Sequence, residues 1–119
     1  MKVVLDTNVL LVSISRKSKD NWILQRLIKE DYTLCVTNDI LLEYEEIIAR
    51  HMSVNAASEI INVLLTAPNV ILVTRYYQWN LINADVDHNK FVDCAIASNA
   101  TFIVSEDRHF DALRQIAFP

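Results

Sequence analysis

The sequence contains no glycine at all among its 119 residues. Walker-type phosphate loops and GxGxxG dinucleotide turns need glycine, because only a residue without a side chain lets the backbone approach phosphate closely. Both classes of nucleotide site are therefore excluded. Any residue with a positive φ must be a non-glycine, and asparagine tolerates that conformation best. We predict Asn69 and Asn99 at such positions.

Cysteine, proline and long apolar runs are also scarce. The two prolines are few for a chain of this length, and the two cysteines, Cys35 and Cys94, stand in apolar contexts without a CxxC or Cys/His spacing. We predict that both are small buried side chains. No apolar run reaches the roughly 20 residues that span a bilayer, and Asp6 interrupts the N-terminal one, which excludes a signal-peptide pattern. A cytoplasmic protein is expected.

Basic charge is not in excess either, since the formal net charge is −4. This charge argues against a large basic nucleic-acid surface, because phosphate neutralisation drives non-specific binding. A nucleic-acid enzyme that takes its positive charge from metal ions is still compatible with this charge. Apolar residues make up 52% of the chain and charged residues 22%. This balance is typical of a globular chain, and its length predicts a single domain over residues 1–119.

Short apolar runs alternate with helical patterns along the chain. The runs predict strands over residues 2–5, 33–37, 69–74 and 101–105. The helical patterns predict helices over residues 21–32, 38–51, 54–67, 88–100 and 107–115, with Asp20 and Asp87 as N-caps. This alternation indicates an α/β fold, and continuously apolar strands are typical of a parallel sheet covered on both faces.

Acidic residues follow two of these strands. Asp6 comes directly after KVVL, and Asp107 follows TFIVS after one intervening residue. Ligands of open parallel sheets bind beyond the carboxyl ends of the strands. Both carboxylates are therefore expected at the same edge of the sheet.

Two further acids are expected from helices facing this edge. Glu43 borders the apolar face formed by residues 40, 41, 44, 47 and 48, and Asp93 interrupts the apolar stretch FVDCAIA. Carboxylates that converge without a nearby lysine or arginine repel each other, and a divalent cation resolves that repulsion. All-oxygen ligands favour Mg²⁺ or Mn²⁺, which can activate water and offset charge on a phosphodiester.

Simpler roles are open for each acid taken alone. Asp6 could begin a polar loop, Glu43 could be a solvated helix residue, and Asp87 and Asp107 could cap the helices that follow them. Asp93 is the hardest to explain without a ligand, because a carboxylate among apolar neighbours is costly unless it is paired.

The segments VLDTNVLL, TNDILLEYEEII and DHNKFVDCAIASNATFIVSEDRHFDAL together resemble the PIN domain over nearly the whole chain. More narrowly, they resemble the bacterial branch that contains toxin components of toxin–antitoxin systems. The resemblance implies a Rossmann-like three-layer α/β/α sandwich with a mainly parallel central sheet. It also implies an Mg²⁺- or Mn²⁺-dependent ribonuclease, with RNA as substrate, a cognate antitoxin protein as partner and a homodimer as assembly.

The resemblance also implies roles for individual residues. Asp6 and Asp107 become metal ligands, and the third metal ligand is either Asp93 or Asp87. Glu43 becomes the catalytic carboxylate of the helix after the second strand, either as a further ligand or as the base that orients the attacking water. Thr7, Asn8 and Ser105 support the acids. Apart from the resemblance, Arg16 and Lys17 belong to the basic run SRKSK that follows the Asp6 loop near the sheet edge, and they contact the RNA backbone unless their loop is merely solvated.

Two departures from the family pattern are present. Glu106 stands where relatives often have glycine, and the chain stops at AFP, where relatives usually continue into another strand and helix. We expect a single PIN-like domain, and the stop at AFP fits a native end, a truncated chain and a further tail alike. A shortened end would leave the domain without this last strand and helix, and the exposed sheet edge would then favour a homodimer.

Two other functions stay open on the sequence. A catalytically silent PIN fold could serve as a binding or regulatory module. A haloacid-dehalogenase-like phosphatase also begins with an aspartate after its first strand, but it needs a second acid where this chain has Asn8. Phosphatase chemistry would then lack its general acid.

Overall fold

The computed structural model describes residues 1–74 and 89–105. These residues form the following elements, in chain order: β1 (Lys2–Leu5), α1 (Thr7–Ile14), α2 (Asn21–Ile28), β2 (Thr33–Val36), α3 (Asn38–His51), α4 (Val54–Thr66), β3 (Val70–Leu72), α5 (Asn89–Ser98) and β4 (Phe102–Val104). The predicted helix over residues 107–115 lies outside the described residues. The predicted α/β class is confirmed, and the other predicted elements are present with shifts of up to four residues at their ends.

The four described strands form one parallel sheet with the order β3-β2-β1-β4. From β1 the chain first adds strands on one side, β2 and then β3. It later returns to the other side of β1 to place β4 there. The switch point of the topology therefore lies between β1 and β4, and this is where open parallel sheets bind their ligands.

The two central strands are buried on both faces. Successive strand residues point to opposite faces of a sheet, and Val3, Val4 and Leu5 of β1 are all at most 4% exposed. Leu34, Cys35 and Val36 of β2 are at most 1% exposed. Both faces are thus covered, which confirms the three-layer arrangement. Cys35 and Cys94 are both buried, as predicted.

Helix α1 was not predicted from the sequence. The segment TNVLLVSI is apolar on most of its circumference and rich in β-branched residues, so it shows no amphipathic period. It is helical because it begins at an N-cap, Asp6, and because Val9 and Leu10 are buried in the core. Asp6 therefore begins a helix and does not begin a loop.

Helix α3 follows its predicted bounds. Thr37 is its N-cap, and the Thr37 hydroxyl accepts a hydrogen bond from the Ile40 amide. Ile40, Tyr44 and Ile48, spaced four residues apart, are fully buried, as the helical period requires. Glu43, one residue before Tyr44, lies at the border of this buried face.

One of the two predicted positive φ positions is confirmed. Asn99 has φ 57° at the end of α5, whereas the second such residue is Glu30, with φ 62°, at the end of α2. Both follow the last turn of a helix, where the chain reverses and glycine is usual. Asn69 instead uses its side-chain amide, which donates to the carbonyls of Leu27 (2.9 Å) and Tyr32 (2.8 Å).

No helix within residues 1–74 and 89–105 is both long and apolar enough to cross a membrane.

Candidate functional site

The switch point holds a buried carboxylate. Asp6 follows β1 and is 1% exposed. Its backbone amide donates to the Val104 carbonyl at 3.0 Å, which joins it to the end of β4. Its side chain accepts from the Ser105 hydroxyl at 2.7 Å and, more weakly, from the Asn8 amide at 3.4 Å. The carboxylate is thus oriented by two strand ends and by the first turn of α1.

The N-terminus of α1 also favours charge at this position. The first amides of a helix lack partners in the helix and give its N-terminus a partial positive charge. The Asp6 carboxylate faces that end as the N-cap. A negative charge that would be costly in the core is therefore stabilised at the edge of the sheet.

The residue after Asp6 connects it to α3. The Thr7 hydroxyl donates to Oε2 of Glu43, and both side chains are largely buried. The hydroxyl of the next residue, Tyr44, donates to the Leu5 carbonyl at 2.5 Å. Helix α3 is therefore anchored to the end of β1 and to the start of α1 by two adjacent side chains, and Glu43 contacts the residue that follows Asp6.

The other oxygen of Glu43 binds a cation that the sequence interpretation did not include. Lys90 Nζ lies 2.7 Å from Glu43 Oε1, and the two side chains are only 18% and 24% exposed. The expectation of acids without a nearby lysine is thus wrong for Glu43. The sequence did contain a signal for this pair, namely a lysine in the first turn of a helix. A cation there is disfavoured by the helix dipole, and a nearby anion offsets that cost.

Burial and nearby charge also act on Tyr44. Burial raises the pKa of its hydroxyl well above the usual 10.0, and Cys94, Asp6 and Glu43 raise it further because their negative forms disfavour a phenolate. The hydroxyl therefore remains protonated and keeps donating to Leu5 over the whole neutral pH range.

The structure brings only some of the predicted site residues together. Asp6, Thr7, Ser105 and Glu43 form one connected group. Asp93 lies in α5 and is 1% exposed, whereas the Asn8 side chain is exposed and only its backbone amide contacts Asp6. Asp87 and Asp107 lie outside the described residues.

The basic residues Arg16 and Lys17 lie beyond the far end of α1 from Asp6. Arg16 and Lys17 are exposed and follow α1, which the interpretation read as part of the loop after Asp6. Eight helical residues span about 12 Å at 1.5 Å per residue, so the length of α1 separates this cluster from Asp6.

The donor set fits a hard divalent cation in its chemistry. Asp6, Ser105 and Thr7 present oxygen atoms only, and oxygen is the ligand atom that Mg²⁺ and Mn²⁺ prefer. Within the described part of the chain, no three His, Cys, Asp or Glu side chains cluster closely enough to hold a metal ion. Asp6 is therefore the carboxylate on which the fit depends.

Fold and site together define a class, that of parallel α/β proteins with an acidic centre at the topological switch point. The chain belongs to the PIN domain family, whose model matches residues 2–109. Membership in this family supports a nuclease activity at the family level. No curated protein matches the chain.

The fold is also similar to that of a solved structure, described as the crystal structure of VapBC2 from Rickettsia felis bound to a DNA fragment from their promoter. The TM-score is 0.66, the sequence identity is 13%, and the match covers 97% of this chain and 94% of that one. At this identity the likeness shows the fold.

Proposed function

We propose that the protein is a metal-dependent endoribonuclease of the PIN toxin type, which hydrolyses RNA phosphodiester bonds with Mg²⁺ or Mn²⁺. The observation that carries the proposal is the Asp6 carboxylate, buried at the switch point and oriented by Ser105 and by the N-terminus of α1. Family membership supports the nuclease class.

The proposed ligands of the metal are Asp6, Asp107 and one acid of the fifth-helix region, Asp93 or Asp87. When bound there, the cation supplies an activated water nucleophile and offsets the negative charge of the phosphate. Ser105 holds one oxygen of Asp6 by donating to Oδ2, which fixes the direction in which the carboxylate faces. Glu43, which accepts a hydrogen bond from the Thr7 hydroxyl, is proposed as a further metal ligand or as the base that orients the attacking water.

We further propose a cytoplasmic location, a cognate antitoxin protein as partner and a homodimer as assembly. The support for the antitoxin is the fold likeness to the VapBC2 structure, together with the segments that resemble toxin components. Arg16 and Lys17 stay candidate RNA-backbone contacts for the part of the substrate that extends past α1.

The direct test is cleavage of a mixed-sequence single-stranded RNA by the wild-type protein. We expect cleavage with Mg²⁺ or Mn²⁺ and none with EDTA, because the acidic centre needs a cation to approach phosphate. A known PIN nuclease run in parallel validates the conditions. Intact RNA with every metal, under conditions in which that reference enzyme cuts, would sink the proposal.

The identity of the third acid is testable by Mn²⁺ titration calorimetry. If Asp93 is the ligand, Asp93→Asn should weaken Mn²⁺ binding about tenfold or more, because one anionic ligand is lost, whereas Asp87→Asn should bind like the wild type. The reverse pattern assigns Asp87. Asp31→Asn, at an exposed residue paired with Arg26, is the matched control, and equal binding by all variants would remove both acids from the ligand set.

A catalytically silent PIN fold is the second candidate function. The Lys90–Glu43 ion pair favours it, because an internal cation already neutralises one acid of the centre. Tight Mn²⁺ binding without RNA cleavage would support this candidate. Phosphatase chemistry of the haloacid-dehalogenase type gains no support, since the family is the PIN domain and Asn8 carries no acid.

A further inference from the structure

The Lys90–Glu43 ion pair differs from the other ion pairs of the described residues by its burial. Arg26–Asp31 and Arg50–Glu46 lie on the surface, with side chains 45% to 65% exposed. Such pairs contribute roughly 0–1 kcal/mol to stability. Lys90 and Glu43 are 18% and 24% exposed, so each loses much of its hydration on folding.

Stability alone does not explain a pair at this depth. The desolvation of two charges commonly offsets their attraction, and apolar residues of the same volume often stabilise a protein as well or better. Lys90 also stands in the first turn of α5, where the helix dipole disfavours a cation. A role beyond stability is therefore indicated for its charge.

The position of Lys90 suggests that role. Asp6 is followed by Thr7, Thr7 donates to Glu43, and Glu43 binds Lys90, so two side-chain contacts link the ammonium group to the residue beside the buried carboxylate. The α5 N-terminus and the ammonium group together place positive charge next to an acidic centre. This positive charge would offset the repulsion between the carboxylates and an approaching phosphate.

Lys90 also retains hydrogen-bonding capacity. An ammonium group has three N–H donors, and within the described residues its hydrogen-bond acceptor is Glu43 Oε1. Its partial exposure leaves the group accessible from solvent. Glu43, with one oxygen on Thr7 and the other on Lys90, restrains the ammonium group without covering it.

We propose that Lys90 binds a phosphate group of the RNA substrate beside the acidic centre, with Glu43 and Thr7 positioning its ammonium group. The proposal rests on the proposed ribonuclease function for the identity of its ligand. Within it, Glu43 is a positioning residue for Lys90, through the hydrogen bond that its Oε1 accepts from the ammonium group.

The test measures RNA binding without cleavage. A fluorescently labelled single-stranded oligoribonucleotide of mixed sequence is titrated in EDTA, and Kd is followed by anisotropy over a range of salt concentrations. Each phosphate contact to single-stranded nucleic acid contributes about 0.7 to the slope of log Kd against log salt. We expect Lys90→Met to weaken binding about tenfold, as for a lost charge-assisted hydrogen bond, and to reduce that slope by about 0.7.

Three further variants separate a contact from a structural effect. Lys90→Arg should keep the affinity and the slope, because the charge is retained. Lys29→Met removes an exposed lysine at the end of α2 and should bind like the wild type. The double variant Glu43→Gln with Lys90→Met keeps the net charge and leaves no unpaired buried acid, and it should still show the reduced slope.

Several results would overturn the inference. The Lys90→Met variant could show the salt slope of the wild type, or Lys29→Met could lose as much affinity and slope as Lys90→Met does. The double variant could regain the wild-type slope, or the wild-type protein could fail to bind the oligonucleotide. The cleavage assay is read separately. If the wild type cuts no RNA but Lys90→Met reduces the salt slope, the phosphate contact stands and the nuclease activity is rejected. If the wild type cuts RNA but Lys90→Met leaves the slope unchanged, the nuclease activity stands and the phosphate contact is rejected.

Discussion

Asp6→Asn is expected to lower the rate of RNA cleavage about a thousandfold, the equivalent of several kcal/mol of transition-state stabilisation. The substitution removes one negative charge from the buried centre and leaves the shape of the side chain nearly unchanged. Asparagine is as good an N-cap as aspartate, and its carbonyl oxygen can accept from Ser105. We therefore expect the fold to persist, and the measurement is the initial cleavage rate with Mn²⁺ beside a thermal unfolding curve.

Asp20→Asn is the matched control for this variant. Asp20 is also an N-cap, that of α2, and its side chain makes no capping hydrogen bond. The same loss of charge at a second helix start should leave cleavage within about twofold of the wild type, because surface substitutions of this kind are usually close to neutral. An Asp6→Asn variant that is folded and cleaves at the wild-type rate would contradict the proposed role of Asp6.

Tyr44→Ala is expected to lower the free energy of unfolding by about 3–5 kcal/mol, as for other large aromatic side chains removed from a core. Tyr44 is fully buried, and it joins α3 to the end of β1 through its hydrogen bond to Leu5. Because domains of this size are stable by only about 5–15 kcal/mol, this one side chain accounts for a large part of the free energy of unfolding. Urea unfolding followed by circular dichroism measures the change.

The milder variant Tyr44→Phe isolates the hydroxyl. It leaves the Leu5 carbonyl without this donor in a buried place, which should cost about 1–3 kcal/mol. Tyr32→Phe is the control, since its hydroxyl also donates to a backbone carbonyl, that of Ile23 at 2.7 Å, but the side chain is only half-buried. Equal costs for the two Tyr→Phe variants would contradict the argument from burial.

The raised pKa of Tyr44 also predicts how stability depends on pH. Above pH 10.0 the unfolded chain releases the tyrosine proton while the folded protein retains it, so stability falls as the pH rises towards the folded-state pKa. The contribution of this tyrosine to the fall is at most about 1.4 kcal/mol per pH unit. Tyr44→Phe should lose stability less steeply above pH 10.0 than the wild type does. A parallel fall in both proteins would exclude Tyr44 as the cause.

The sequence predicted well wherever periodicity was clear. The bounds of α3 were correct because its apolar residues recur every three to four positions and Thr37 precedes them. It failed at α1, since a helix that is apolar on most of its circumference has no polar face to reveal its period. It also failed to identify Glu30 as a residue with positive φ, because a chain without glycine must use the residue that happens to follow the last turn of α2.

The candidate site was also predictable only in part. The sequence by itself determined that Asp6 directly follows an apolar strand. Because parallel strands place their carboxyl ends at one edge of the sheet, the position of this carboxylate at that edge could be predicted. Only the tertiary structure decided which residues contact it. Ser105 is 99 positions away along the chain and Lys90 is 47 positions from Glu43, and such contacts are set by the crossover that places β4 beside β1, which no local pattern encodes.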